Sequence, residues 1–216
     1  VIDFHGRFKL QLQASPAGQL GVFPEQAGNW DWIDRQVRRG EKVLGSPLRV
    51  LNLFGYTGAS TLAAAAAGAE VTHIDSAGNI LQRARENARM SGLASAPIRW
   101  IQEDVTLFCD REVKRGNSYH AVILDPPSYG HGPGNEVWKI NQHLGPLLKN
   151  CGLLTKSDRA FLLLTSHSPG FAAADLEAIF ADRIFGHCGA AGQSGKMQLQ
   201  GPSGIQLDAG YLIRFP

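Results

Sequence analysis

Four short segments carry residues suited to chemistry, and they follow one another along the chain. Asn52-Leu53-Phe54-Gly55-Tyr56-Thr57-Gly58 is a glycine turn after an apolar run. Its glycines let the backbone approach a ligand closely, and a helix after it offers free amides and a positive dipole end. The spacing is GxxG, without the third glycine of a dinucleotide fingerprint, and such a turn also serves simply to join a strand to a helix. Asp75 closes the next apolar run, where a carboxylate can accept both hydroxyls of a nucleoside ribose or cap the next helix. Glu103-Asp104 closes the third, placed to accept a hydrogen bond from an adenine amino group or to sit as solvated turn acids. Asp125-Pro126-Pro127-Ser128-Tyr129-Gly130 closes the fourth. Two prolines there fix the backbone and remove donors, so that carbonyls are left to accept from a substrate.

These segments need strands to end on. Leu48–Phe54 is nearly continuous in apolar residues, as in a strand buried on both faces of a parallel sheet. An alanine-rich helix over Ala59–Ala67 follows, then a strand over Glu70–Asp75, a helix over Ile80–Met90 and a strand over Ile98–Gln102. A short helix over Val105–Val113, a strand over His120–Leu124, a helix over Glu136–Leu148, a strand over Ala160–Thr165 and a helix over Ala173–Phe180 continue the alternation. Strands near Met197–Gln200 and Tyr211–Phe215 make a final antiparallel hairpin. The alternation predicts an α/β fold: a Rossmann-like, seven-stranded, mostly parallel sheet with helices on both faces. Ligands of such sheets bind beyond the carboxyl ends of the strands, where all four segments lie. Upstream, period-2 alternation over residues 8–13 and the Ser-Pro-Ala-Gly turn predict a hairpin over residues 8–23. A helix over Trp30–Arg39, capped by Asn29 and ended by Gly40, completes a small flap. The expected division is a flap over 1–45 and a main domain over 46–216.

Composition narrows the classes. The 216 residues are 44% hydrophobic and 19% charged, ordinary for a globular chain with a good core. Glycine and proline, at 25 and 11, make turns plentiful but are far from collagen-like or disordered usage. A net charge of +2 supplies no strong field for nucleic acid, although a local basic patch is compatible with it. Cys109, Cys151 and Cys188 form no CxxC pair and no metal-ligand cluster, so reduced, buried thiols and a cytoplasmic setting are expected. No apolar stretch reaches membrane-spanning length, and no signal-peptide pattern opens the chain. It begins at Val1 rather than Met, which is consistent with N-terminal sequence lying outside it.

Residues 48–130 resemble a class I S-adenosylmethionine-dependent methyltransferase. The flap segment Gly21-Val22-Phe23-Pro24-Glu25-Gln26, the loop Leu51–Gly58 and Val122-Ile123-Leu124-Asp125-Pro126-Pro127-Ser128-Tyr129-Gly130 are similar to bacterial methyltransferases related to the ribosomal RNA cytosine-C5 and guanine-N7 enzymes. The likeness runs on to Leu162–Phe171. It implies that Asn52 and Phe54–Gly58 cradle the methionine part of S-adenosyl-L-methionine and that Asp75 holds the ribose. It implies further that Ser76 and Glu103, Asp104 and Val105 frame the adenine, that Asp125 also faces the cofactor, and that Phe23, Glu25 and Gln26 close over it. The relatives often read Phe-x-Asp-His-Arg where this chain reads Phe-Pro-Glu-Gln.

One departure bears on the reaction. The cytosine-C5 relatives attack with a cysteine in a Ser-Cys-Ser context, and here that stretch is Ser166-His167-Ser168. A covalent cysteine adduct is therefore rejected, and direct transfer to a nitrogen is the expectation, with a base of ribosomal RNA as the favoured acceptor. Amine methyltransferases use a (D/N)PP(Y/F) motif, which puts Asp125, Pro126 and Pro127 at the acceptor. Tyr129 stands one position late for the stacking aromatic, because Ser128 intervenes. His131 and His167 are candidate proton acceptors, with structural roles as the alternative. Trp30 and Trp138 are candidates for the mouth, with core packing the stronger expectation. A small-molecule or protein amine as acceptor, a scaffold that only binds the cofactor, and a nicotinamide-dependent dehydrogenase are the competing readings.

Overall fold

The structure, a computed structural model, describes residues 1–14, 20–168, 171, 173–187, 192–201 and 203–216. Its elements are β1 (Ile2–Phe4), β2 (Phe8–Leu10), a 3-10 turn (Pro24–Gln26), α1 (Ala27–Leu44), β3 (Arg49–Leu53), α2 (Ala59–Ala66), β4 (Glu70–Asp75), α3 (Gly78–Met90), β5 (Ile98–Gln102) and α4 (Val105–Lys114). They continue with β6 (Ala121–Leu124), β7 (Tyr129–His131), β8 (Val137–Lys139), α5 (Ile140–Leu154), β9 (Phe161–Ser166), α6 (Ala173–Phe185), β10 (Gln193–Gln200) and β11 (Gln206–Phe215).

Seven strands form one sheet in the order β10-β11-β9-β6-β3-β4-β5. β3, β4, β5, β6 and β9 run parallel, and β11 is antiparallel to both of its neighbours. Chain connections run one way from β3 to β4 and β5 and the other way to β6 and β9, so the switch point lies between β3 and β6. Along the central strands side chains alternate between two cores. Leu51, Leu53, Val122, Leu124, Leu162 and Leu164 face α4–α6. Val50, Ala121, Ile123, Phe161 and Leu163 face α1, α2 and the N-terminal hairpin. The fully buried Ala64, Leu62 and Leu48 explain the alanine run: small side chains let α2 lie close to the sheet and to α1.

The sheet matches the expectation from sequence, and four local readings need correction. The strand at 8–10 pairs with β1, Phe4 opposite Phe8, a hairpin the local pattern does not announce, while of the expected 8–23 hairpin the Gln13 amide donates to the Leu20 carbonyl at 2.9 Å. His5 and Gly6 supply the left-handed turn at φ 54° and 67°, and the whole of the expected Ser15–Gly18 turn lies outside the described residues. The first helix starts at Ala27, so Asn29 is buried inside it rather than capping it. It also runs through Gly40, whose missing side chain admits Leu48 to within 2.7 Å of where a Cβ would stand, and ends at left-handed Gly45. Finally, the expected helix over 136–148 starts only at Ile140: residues 129–139 form the β7–β8 hairpin, turned by Asn135 at φ 66°. Lys139 is extended and donates its amide to His143 Nδ1, which holds the helix start there.

Candidate active site

The loop after β3 is shaped by its own backbone. Phe54 and Tyr56 both adopt left-handed conformations, at φ 56° and 49°, rare for aromatic residues and of a kind that concentrates at functional sites. Gly58 (φ 92°) ends the turn and opens α2. Gly55 lies flat on the buried His73 ring, where a Cβ would come within 2.3 Å of Cε1. Asp75, ending β4, holds the loop from the other side. Its Oδ2 accepts the Tyr56 amide at 2.8 Å and its Oδ1 the Ala77 amide at 2.9 Å. Burial pushes the Asp75 carboxyl up, opposed by the amides of Ala77, Tyr56 and Ser76.

Two clefts open at these strand ends, with Phe54 lining both. One, of about 470 Å³, is walled by Phe23, Gln26, Tyr56, Thr57, Asp125 and Thr165, with Trp30 and Asn52 deeper in. The other, of about 350 Å³, is walled by Asp75, Ser76, Glu103, Asp104, Val105 and Trp138. Most of the candidate cofactor residues are thereby brought together. Three of them also bond within the chain. Asp104 caps α4, accepting from the Thr106 and Leu107 amides at 2.9 and 3.0 Å. Glu103 pairs with Arg111. Asn52 donates to Thr61 Oγ1 at 2.8 Å, behind the cleft wall.

The second half of the site hangs from β6 and β9. Asp125 Oδ2 accepts Gln26 Nε2 at 3.0 Å, and Oδ1 accepts the Thr165 hydroxyl at 2.6 Å. His167 Nε2 lies 3.4 Å from the same Oδ1, and its Nδ1 lies 3.8 Å from Glu25 Oε1. The hydrogen bond to Asp125 holds the imidazole above its ordinary value, against the effect of burial, with Glu25 adding to the rise. Pro126 is buried, and the Pro127 carbonyl accepts the Trp138 indole N–H at 2.7 Å. Ser128 and Ser168 join hydroxyls at 2.8 Å. Tyr129 stands apart from this group: 54% exposed on β7, it bonds His131 Nε2 at 3.2 Å and lines neither cleft. Trp30 and Trp138 are both buried, as core packing requires, and each also backs a cleft.

Thr165 was not singled out by its sequence context. Its only signal was a hydroxyl at the end of an otherwise apolar strand, where a buried polar group needs partners. The thiols lie elsewhere. Cys109 on α4 and Cys151 on α5 are buried in the core, and a mutual hydrogen bond and burial push the Cys109 thiol well above its ordinary range. Cys188 lies outside the described residues.

The donor set fits S-adenosylmethionine. An aspartate with both oxygens on amides and facing a cleft suits ribose hydroxyls, Val105 and Trp138 offer an apolar bed for a base, and the strained 54–58 loop suits the amino-acid end.

Comparison with known proteins agrees. The family described as S-adenosylmethionine-dependent methyltransferase matches residues 6–157. Ribosomal RNA large subunit methyltransferase I of Aeromonas hydrophila is 28% identical over 130 residues, covering 60% of this chain and 31% of that protein. Ribosomal RNA large subunit methyltransferase K/L of Shewanella frigidimarina is 33% identical over 160 residues, covering 68% of this chain and 20% of the relative. This chain thus spans about a third or less of the length of those relatives. The crystal structure of a SAM-dependent methyltransferase from Agrobacterium tumefaciens superposes with a TM-score of 0.83 at 37% identity, over 92% of this chain and 64% of that one. Fold, site and family match converge: the chain belongs to the class I S-adenosylmethionine-dependent methyltransferases.

Proposed function

We propose that the chain transfers a methyl group from S-adenosylmethionine to a nitrogen of a ribosomal RNA base, by direct in-line transfer and without a cysteine adduct. The observation that carries this reading is the Asp125 carboxylate, fixed by Gln26 and Thr165 beside the 54–58 loop, with His167 where a cysteine nucleophile would stand. The names of the relatives support ribosomal RNA as the acceptor; the likeness to the cytosine-C5 and guanine-N7 group and the cytoplasmic setting are carried by the sequence motifs and the cysteine usage.

The cofactor supplies a methyl group made electrophilic by its sulfonium. The chain supplies position. Asp75 holds the ribose, Ser76 and Val105 border the base, and the 54–58 loop receives the amino-acid end. Asp125 accepts a hydrogen bond from the acceptor N–H and so turns the nitrogen lone pair toward the methyl group. The Pro127 carbonyl is occupied by Trp138, which leaves the Pro126 carbonyl as the second acceptor. Phe23, Phe54 and Trp138 keep water from the reacting atoms. A base in a duplex has to leave its stack to reach this recess. Residues 1–45 act as the flap over the 46–216 domain, contributing Phe23 and Gln26 to the cleft.

A small-molecule or protein amine is the competing acceptor, favoured by two carboxylates, Glu25 and Asp125, on either side of His167 at the mouth. Methyl-labelled cofactor offered with undermodified ribosomal RNA, and separately with a polyamine and a basic peptide, separates the two. RNA labelling that falls about 100-fold in Asp125→Ala, with cofactor affinity nearly unchanged, is the expected result. Labelling of the amine alone transfers the reading to that class, and equal loss of turnover and affinity makes Asp125 a cofactor residue instead.

A further inference from the structure

We propose that Arg214, Asn29 and Gln26 form a directional hydrogen-bond chain that positions the Asp125 carboxylate, with Arg214 setting the direction of every bond in it. This rests on the role given to Asp125 above. Arg214, near the end of the last strand, brings Nε and Nη2 to 3.1 and 2.6 Å from Asn29 Oδ1. Asn29 Nδ2 lies 2.5 Å from Gln26 Oε1, and Gln26 Nε2 reaches Asp125 Oδ2 at 3.0 Å and Thr165 Oγ1 at 3.2 Å. Thr165 completes the grip through its 2.6 Å bond to Asp125 Oδ1.

The direction follows from which groups can only donate. A guanidinium has no acceptor, so Asn29 must present its oxygen to Arg214 and its amide nitrogen to Gln26. Gln26 must then present its oxygen to Asn29, which leaves its two N–H groups for Asp125 and Thr165. The Thr165 hydroxyl, having accepted one of them, turns its proton to Asp125. Turning the Gln26 amide over would set oxygen against carboxylate at one end and N–H against N–H at the other. Asn29 and Gln26 are 1% and 6% exposed, so water does not repair such a mismatch. Arg214 is itself steadied, its guanidinium 5.4 Å from the Trp32 ring centre. Both oxygens of Asp125 are thus gripped, which fixes rotation of the carboxylate, the property that aiming an acceptor demands. Gln26 lines the cleft, but its two N–H groups are taken, so it acts through Asp125 as a positioning residue.

Arg214→Met keeps the unbranched apolar stem and removes the donors; Arg214→Lys restores a donor-only group. In the ligand-free protein, exchange of the Gln26 side-chain amide protons is read by nitrogen-15 NMR, alongside calorimetric cofactor affinity and turnover on undermodified ribosomal RNA. Arg214→Met is expected to speed Gln26 amide exchange and to lower kcat by about 10-fold or more, with cofactor affinity within about 2-fold, as outer partners of a reacting group do. Arg214→Lys is expected to recover most of both. Gln26→Glu keeps the shape and places a second carboxylate against Asp125, so the acid limb of the pH–rate profile moves to higher pH. It carries the test if Arg214→Met does not fold. Unchanged amide exchange and turnover in Arg214→Met, equal loss of affinity and turnover, absence of rescue by lysine, or an unmoved acid limb in Gln26→Glu overturns the proposal. If Asp125→Asn retains full turnover, the functional reading fails while the amide-exchange measurement still decides on the chain of bonds.

Discussion

His73 shows how one buried side chain shapes the 54–58 loop and ties stability to pH. Its ring is fully buried, 4.8 Å from Trp100, and its Nδ1 shares a hydrogen bond with the Thr61 hydroxyl at 2.8 Å while Thr61 accepts from Asn52. Burial, reinforced by Arg85, lowers its pKa from 6.5 to about 3. The unfolded chain therefore binds a proton below pH 6.5 that the folded chain refuses. Stability from this residue is complete above 6.5 and falls by about 1.4 kcal/mol per pH unit as pH drops from there toward 3. Urea unfolding at pH 7 and pH 5 is expected to show this decline in the parent and to lose about 2 kcal/mol of it in His73→Gln. Retention of the full slope in the variant assigns it to other groups. Nothing in the local sequence of His73 distinguished it from any other residue of a buried strand. Asp75 and Asp125 were legible because carboxylates at strand ends are exceptional, whereas a histidine within a strand acquires meaning only from what packs on it.

Between elements, Asn87 is the joint that couples the N-terminal segment to the 54–58 loop. From within α3 its Nδ2 donates to the Thr57 carbonyl at 2.9 Å, and its Oδ1 accepts the Gln11 amide at 2.9 Å. Thr57 in turn donates its hydroxyl to the Gly21 carbonyl at 2.7 Å. Two partners lie 30 and 76 residues away in sequence, so no local pattern announces the joint. Asn87→Ala leaves both backbone groups unpaired. It is expected to cost about 2–4 kcal/mol in denaturant unfolding and to weaken cofactor binding by loosening Thr57. Full cofactor affinity in a destabilised variant separates the two effects. Parallel strands are legible to within a residue or so because burial on both faces writes a continuous apolar run. The β7–β8 hairpin is hidden in the sequence because Val137, Trp138 and the apolar residues after Ile140 mimic a helical stripe. What decides it is the turn at Asn135 and the side chain of His143 reaching back to the Lys139 amide.

Across the whole molecule, His167 gathers segments that are remote in the chain. Phe23 and Glu25 approach it from the flap and Asp125 from the end of β6, while Ala209 on β11 adds a backbone hydrogen bond. The hydrogen bond to Asp125 leads in raising its pKa above 6.5. The sign is opposite to that of His73. The folded chain holds the proton more tightly, so this contribution to stability is complete below pH 6.5 and is lost as pH rises through the raised folded value. Thermal unfolding of the parent is expected to show a decline as pH rises from 6.5, attributable to this group, that His167→Asn lacks; identical pH dependence in both removes the imidazolium from the account.

From the sequence alone came the alternating α/β order, the seven-stranded sheet, the strand ends that carry the site, and the family with its cofactor. These are properties of periodicity and of rare residues at fixed places, both written locally. The tertiary structure decided which residues share the work. It sent Asp104 to a helix cap and Tyr129 to the surface, and it joined Arg214, Asn29, Gln26 and Thr165 around Asp125. The physical reason is that a buried polar group must find partners. Which partner it finds depends on the approach of strands and helices up to 185 residues apart, a distance over which sequence spacing carries no information.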